Sequence, residues 1–421
     1  METLPYENLQ ASEPRIPWRR LFLAILFGLV WISLLATRLY FDSDHYKTVD
    51  GAYYIELAQD FASGKPMVLD GLQNKMGNAF SPYPPGYPVG LAFSKMLFPE
   101  WAEEFGPSLA LHGFFMMVLL VVWAFRFPLW PLLVLVFGDT FLELGSSTGT
   151  EFAFIWSLIL MAMALGTMQL YSAGPGKWIW PFFWGLSFFF RYAATFSIPW
   201  LVVCWGRFVV KGRPLVRSMA IGFGTALGVF FLFGLWEWWH FGQITGGDRY
   251  PNQDGAEKLG LDLMVELFDQ LSWFRDQDGR SSSLFWLGWL AVLILIIFAR
   301  FAFVRNPDKP SESLGKLVGF QLCGLGISQI LCTILVRWYF YFAETFDLRL
   351  LGPGFSLVAL GGMLLSAQVF VLKRKLWLAF FLCLAVGFGL PKRPMFIKYQ
   401  EWFWNKVQWG GHAETAEFLH K

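Results

Sequence analysis

Residues 21–40 read LFLAILFGLVWISLLATRLY, and the only formal charge among them is Arg38 near the end. A helix rising about 1.5 Å per residue crosses a hydrocarbon core of about 30 Å in about 20 residues, so this stretch is long enough to span a bilayer. Before it lies a polar segment, residues 1–20, carrying Arg15, Arg19 and Arg20. The apolar run is too long for the core of a cleavable signal and lacks a small-residue cleavage site. It reads as a first membrane helix that enters from the cytoplasm, basic end first.

Outward from this run the pattern repeats. Apolar runs follow at 109–127, 129–142, 152–170, 178–190, 192–210, 219–239, 284–303, 317–335, 350–372 and 376–390. Together they predict an all-α polytopic bundle of about eleven spans, since lipid offers the backbone no hydrogen-bond partners and only helices or closed barrels cross it. Barrel strands would be short and alternating, whereas these runs are long and continuous. Composition agrees: 56% of the 421 residues are hydrophobic and 15% charged, against about 25% charged in soluble domains. The net charge of +2 says little about partners; no nucleic acid is expected, and membrane lipid is the expected surrounding.

Alternation from a cytoplasmic N-terminus places Arg126, Lys177, Arg207, Lys211, Arg213, Arg217, Arg300, Arg305, Lys309, Lys373, Arg374 and Lys375 at cytoplasmic ends, the positive-inside pattern. Lys392 and Arg393 after the last run fit it less well. The expected organisation is a cytoplasmic tail at 1–20, a membrane domain at 21–390 with external loops near 41–106 and 240–283, and a short tail at 391–421. No internal repeat is visible. The four cysteines, Cys204, Cys323, Cys332 and Cys383, all fall in apolar runs and read as packed small residues rather than a disulfide framework.

The acidic residues collect in the loops that this topology puts outside. The first loop begins FDSDHYKTVDGAYYIELAQDFASGK. Asp50-Gly51 reads as a turn leading into a short amphipathic helix over 52–62, with Tyr54, Leu57, Ala58 and Phe61 at helical spacing. A carboxylate at that position is stabilised by the helix dipole, and on physics alone Asp50 is first of all a cap or turn residue. Asp42 and Asp44, just outside the first span, are first of all solvated acids. SPYPPGYPVG, residues 81–90, reads as an extended rigid turn with interfacial tyrosines, its prolines and glycines excluding a helix through the middle. Glu151 opens a span, where an unpaired acid is costly, so an arginine partner is expected. Arg191, Arg249 and Arg349 fall near the external boundary; interfacial anchoring and phosphate binding are about equally apt for them. His112 and His240 read as satisfying local hydrogen bonds, and Trp236-Glu237-Trp238-Trp239 as part of an interfacial belt. No H-E-x-x-H, C-x-x-C, Walker loop or dinucleotide fingerprint occurs, so zinc, ATP and NAD chemistry are not indicated.

The order of these elements resembles a family. A span, an acid-bearing loop, D-G-x-Y-Y-x-x-x-A at Asp50–Ala58, a glycine-ended helix and then Y-P-P-G-Y-P at Tyr83–Pro88 resemble the GT-C glycosyltransferases that use polyprenyl-phosphate sugars. The nearest group is that of the protein mannosyltransferases and the lipid A aminoarabinose transferase. Thr150-Glu151-Phe152-Ala153-Phe154 resembles the family's S/T-E-P-L-F, with Ala for Pro. Arg191-Tyr192 resembles its R-Y step, Gly242–Gly246 a G-x-x-x-G loop, and Asp347–Pro353 a D-x-R-Y-L-x-P segment. The resemblance runs over most of the chain but lacks the long C-terminal soluble domain of some relatives.

It implies transfer of a sugar from a polyprenyl-phosphate donor to a glycan, lipid or protein acceptor. Asp50 is then the carboxylate acting on the acceptor, with Asp44 and Asp42 as second choices or as acceptor or metal contacts. Tyr54, Tyr87, Glu151, Arg191, Arg249 and Arg349 are the candidate substrate-binding residues. A divalent cation, Mg or Mn, is the one cofactor the resemblance leaves room for, with ligands unassigned. Few cysteines, no N-x-S/T sequon and a short tail suit a bacterial inner membrane, with the site facing the periplasm or exterior. The competing classes are a transporter or flippase of lipid-linked sugars and a non-catalytic membrane protein. A transporter is expected to carry mid-membrane ionisable groups and repeated halves, and neither is apparent.

Overall fold

The computed structural model describes residues 18–41, 49–73, 79–80, 83–97, 106–171, 176–211, 213–242, 250–251, 255, 257–260, 263, 310–341 and 348–369. The expected spans at 284–303 and 376–390, most of both tails and most of the second external loop lie outside them, as do Asp42, Asp44 and Arg249.

Helices dominate. In chain order they are α1 (Trp18–Phe41), α2 (Val49–Ala62), α3 (Gly86–Leu97), α4 (Gly106–Arg126), α5 (Trp130–Val136), α6 (Asp139–Ser146), α7 (Glu151–Leu170), α8 (Gly176–Phe190), a 3₁₀ turn (Tyr192–Ser197), α9 (Ile198–Lys211), α10 (Arg213–Phe241), α11 (Pro310–Tyr339) and α12 (Leu348–Val369). Two short antiparallel ribbons join them, Leu69–Gln73 with Ala79–Phe80 and Tyr250–Pro251 with Phe340–Tyr341. Trp18–Leu39, Gly106–Arg126, Glu151–Leu170, Val216–Trp239 and Leu314–Tyr339 are long and apolar enough to cross a membrane. This is an integral membrane protein built of helices.

Helix α7 is apolar on every side, and its residues from Glu151 to Gly166 are all buried. A helix of that kind belongs at the centre of a bundle. By contrast, α1 and α10 leave Phe22, Leu29, Phe231 and Leu232 more than half exposed, as suits helices with one face toward lipid.

Small residues set how closely the helices approach. A Cβ at Gly326 would stand 2.5 Å from the Gly354 carbonyl oxygen, and one at Gly361 would stand 2.7 Å from that of Gly319. The two contacts run in opposite directions along the chain, so α11 and α12 are antiparallel with backbones in contact, the geometry that small-residue seams permit in lipid. Gly28 against Met117 and Gly113 against Ile32 fix α1 and α4 antiparallel in the same way. Gly176 against Ala164 and Met168 closes the α7–α8 hairpin.

Three expectations need correction. The run at 129–142 is two short helices rather than one span, because Gly138 adopts an extended conformation between α5 and α6. Trp31, on α1, donates its indole N–H to the Val136 carbonyl at 2.8 Å, satisfying a helix-end acceptor that burial would otherwise strand. The run at 192–210 opens with the 3₁₀ turn, whose Ala194 carbonyl accepts from Trp184 at 3.0 Å. And residues 81–90 are not extended throughout: α3 starts at Gly86, so Pro88 falls in the first helical turn. An N–H is not needed there and the proline costs nothing.

Candidate functional site at the Asp50 end of the bundle

The antiparallel packing brings together the C-terminal end of α1, the start of α2, the starts of α3, α4, α7 and α12, and the ends of α6, α8, α10 and α11. Asp50, Glu143 and Glu151 lie at this end, while Arg126, Lys177 and Arg207 belong to the opposite one.

Helix α2 begins at Val49, earlier than the expected 52, so Asp50 lies inside its first turn. Its carboxylate is held from two sides. Tyr83 donates its hydroxyl to Oδ1 at 2.7 Å, and Arg349 donates Nη1 to Oδ2 at 3.1 Å. Three segments far apart in sequence thus converge on one carboxylate. The pair is open to solvent: the Asp50 side chain is 41% exposed and that of Arg349 39%.

Behind Asp50 stands a column of aromatics. The Tyr54 ring lies edge-on to Tyr83 at 4.9 Å and to Tyr87 at 5.2 Å. Tyr87 meets His112 at 2.9 Å from hydroxyl to Nε2, and His112 Nδ1 is 2.8 Å from the Gly145 carbonyl. A carbonyl only accepts, so Nδ1 carries the proton; in the neutral ring Nε2 then accepts from Tyr87. Hydrogen-bond donation therefore has a fixed direction, running from Tyr87 on α3 through His112 to the α6 backbone.

Burial pushes the Tyr54 phenol up, with the Glu151 charge adding to the effect. Burial also raises Tyr83, helped by its bond to Asp50 and by the Asp50 charge, and raises Tyr87. All three hydroxyls stay protonated as donors at neutral pH.

Glu151, the first residue of α7, takes Arg191 at the end of α8 as its ion-pair partner, as expected. Their side chains are 8% and 22% exposed, so this pair is much drier than Asp50–Arg349. Tyr54 connects the two pairs: its hydroxyl lies against Thr150 and feels the charges of Glu151, Arg191 and Asp50. A third pair, Arg38 with Glu143 at 3.5 Å, ties the end of α1 to α6.

Of the residues singled out in the sequence, Asp50 and Arg349 are in contact, as are Glu151 and Arg191. Tyr54 and Tyr87 are 5% and 0% exposed. They pack behind Asp50, and the Tyr87 hydroxyl is engaged by His112. Tyr83 is the tyrosine of Y-P-P-G-Y-P that reaches Asp50, and sequence reasoning missed it. The one available signal was its place just before Pro84-Pro85, outside α3, where a side chain is free to turn toward the loop. His112 satisfies local hydrogen bonds, as read.

Among the described residues no group of three or more His, Cys, Asp or Glu side chains stands close enough to hold a metal ion. What they do offer is an accessible carboxylate, a guanidinium bonded to it, and a phenol that donates to it, carried on a rigid aromatic support at one end of a membrane bundle. Comparison with protein-family models, curated proteins and solved structures finds no match to this chain.

Proposed function

We propose that the protein is a membrane glycosyltransferase that moves a sugar from a polyprenyl-phosphate donor to an acceptor on the extracytoplasmic face. The observation that carries this reading is the meeting of Asp50, Tyr83 and Arg349 at a solvent-open end of the bundle. Acceptor activation needs a carboxylate that solvent and acceptor can reach, and Asp50 is one. Departure of a lipid phosphate needs a cation able to grip its oxygens, and a guanidinium does this with two parallel bonds.

In the reaction the acceptor hydroxyl oxygen attacks the anomeric carbon. The bond from that carbon to the phosphate oxygen breaks, and the electron pair leaves with the polyprenyl phosphate. The acceptor proton passes to Asp50. Arg349 holds the Asp50 carboxylate in the resting state and turns part of its donor set to the phosphate when the donor binds. Tyr83 keeps the carboxylate oriented. Glu151 and Arg191 fix the ends of α7 and α8 that wall the site.

The test uses purified protein in nanodiscs, wild type beside Asp50→Asn, with a panel of polyprenyl-phosphate sugars and candidate acceptors. Release of free polyprenyl phosphate by the wild type and not by the variant is the expected result. Equal release by both would remove Asp50 from the mechanism and turn attention to Asp44 and Asp42.

A further inference from the structure

One polar pair beside this site has no role in the chemistry above. Glu237 lies on α10, inside a segment apolar enough to cross the membrane, and is only 5% exposed. Among the described residues its carboxylate has neither an ion pair nor a hydrogen bond, and its oxygens are not fully sealed from solvent. Tyr192, at the start of the 3₁₀ turn, has a buried hydroxyl with no hydrogen-bond partner among the described residues. Buried polar groups are nearly always paired, and leaving one bare carries a penalty that a folded protein seldom tolerates without a use. An ionisable residue within a membrane helix is a functional-site hypothesis by default.

The two groups belong together. Phe230, Phe233 and Glu237 follow one another along a single face of α10. Phe230 stacks on Phe188 at 4.0 Å, and Phe233 lies 6.3 Å from the Tyr192 ring. That face therefore delivers Glu237 beside Tyr192, close enough for its charge to act on the phenol. Tyr192 directly follows Arg191, which pairs with Glu151 at the same end of the bundle as Asp50. The unpartnered pair sits on the α8–α10 side of the Asp50 centre.

A carboxylate accepts hydrogen bonds, and a phenol both donates and accepts. Together they complement two neighbouring hydroxyl groups, one donating to Glu237 and the other exchanging a bond with Tyr192. We propose that Glu237 and Tyr192 form a hydroxyl-binding subsite beside the Asp50 centre, which selects the transferred sugar by its hydroxyl pattern. This rests on the reading of the donor as a polyprenyl-phosphate sugar.

The probes are bare polyprenyl phosphate, a set of polyprenyl-phosphate hexoses and the monodeoxy analogues of the hexose bound best. Binding is measured with the full chain in nanodiscs. A site built to bond a hydroxyl discriminates against its loss, so the wild type should prefer the hexose over one deoxy analogue by about ten- to a hundredfold. Glu237→Gln keeps the shape and Tyr192→Phe removes one oxygen; each should cut that preference to about threefold or less, within the range of one weakened hydrogen bond. Neither should change affinity for the bare lipid phosphate. Undiminished preference in both variants would overturn the subsite while the glycosyltransferase reading stood. A wild type that binds no polyprenyl-phosphate lipid at all would remove that reading and the subsite with it. If Glu237→Gln misfolds, Tyr192→Phe decides alone.

Discussion

The pairs Asp50–Arg349 and Glu151–Arg191 stand at the same end of the same bundle and have the same kind of chemistry, yet they differ in their water. Both members of the first are about two-fifths exposed, whereas the second joins an acid 8% exposed to an arginine 22% exposed. An exposed pair is screened and stabilises little, so its members can be exchanged for a ligand at small cost. A dry pair is dear to break, because removing one charge strands the other. The wetter pair is therefore suited to turnover and the drier one to holding helix ends in place.

That contrast breaks or sharpens under substitution. The largest effect is expected for Asp50→Asn. Transfer should fall by about a hundredfold or more in single-turnover assays, the range a lost general base gives. Unfolding in detergent should shift by no more than about 1 kcal/mol, given the solvent screening of the exposed pair. A large loss of stability instead would make Asp50 a structural clasp like Glu151.

Next comes Glu151→Gln, for which we expect a stability loss of about 3 kcal/mol in chemical unfolding, since the Arg191 charge is left largely buried. Replacing both partners with apolar residues of similar size should recover much of it. A variant as stable as wild type would show that water reaches this pair after all.

Arg349→Ala should weaken binding of bare polyprenyl phosphate by about tenfold, the worth of one charge-assisted contact. Arg349→Lys should recover only part, keeping the charge without the fork. Unchanged lipid affinity would return Arg349 to the sole task of steadying Asp50. The smallest effect is expected for Tyr83→Phe, a fall of about three- to tenfold in kcat for one lost hydrogen bond, with little change in KM. A change confined to KM would mean that Tyr83 meets the substrate rather than the carboxylate.

Asp50 was legible because D-G-x-Y-Y stands just after a span, and Glu151 because an acid at a span's edge needs a partner. Which arginine serves which acid was not legible. Arg191 and Arg349 both lie near the same boundary, and sequence has no means to rank contacts 40 and 299 residues apart. Reading the sequence picked Tyr87 and passed over Tyr83; the start of α3 at Gly86 separates them, leaving one in the loop and one on the buried face of a helix. Glu237 was hidden among tryptophans, because an interfacial belt and a polar pocket share the same letters.

The sequence by itself determined that the chain crosses a membrane as helices and that its charges sort to two ends, because hydrophobic run length and charge placement are local quantities set by transfer from water to lipid. Only the tertiary structure decided which charges meet, how wet each meeting is, and which polar groups are left without partners. Those depend on how closely helices approach, and that is set by glycine seams and aromatic contacts between residues far apart in the chain.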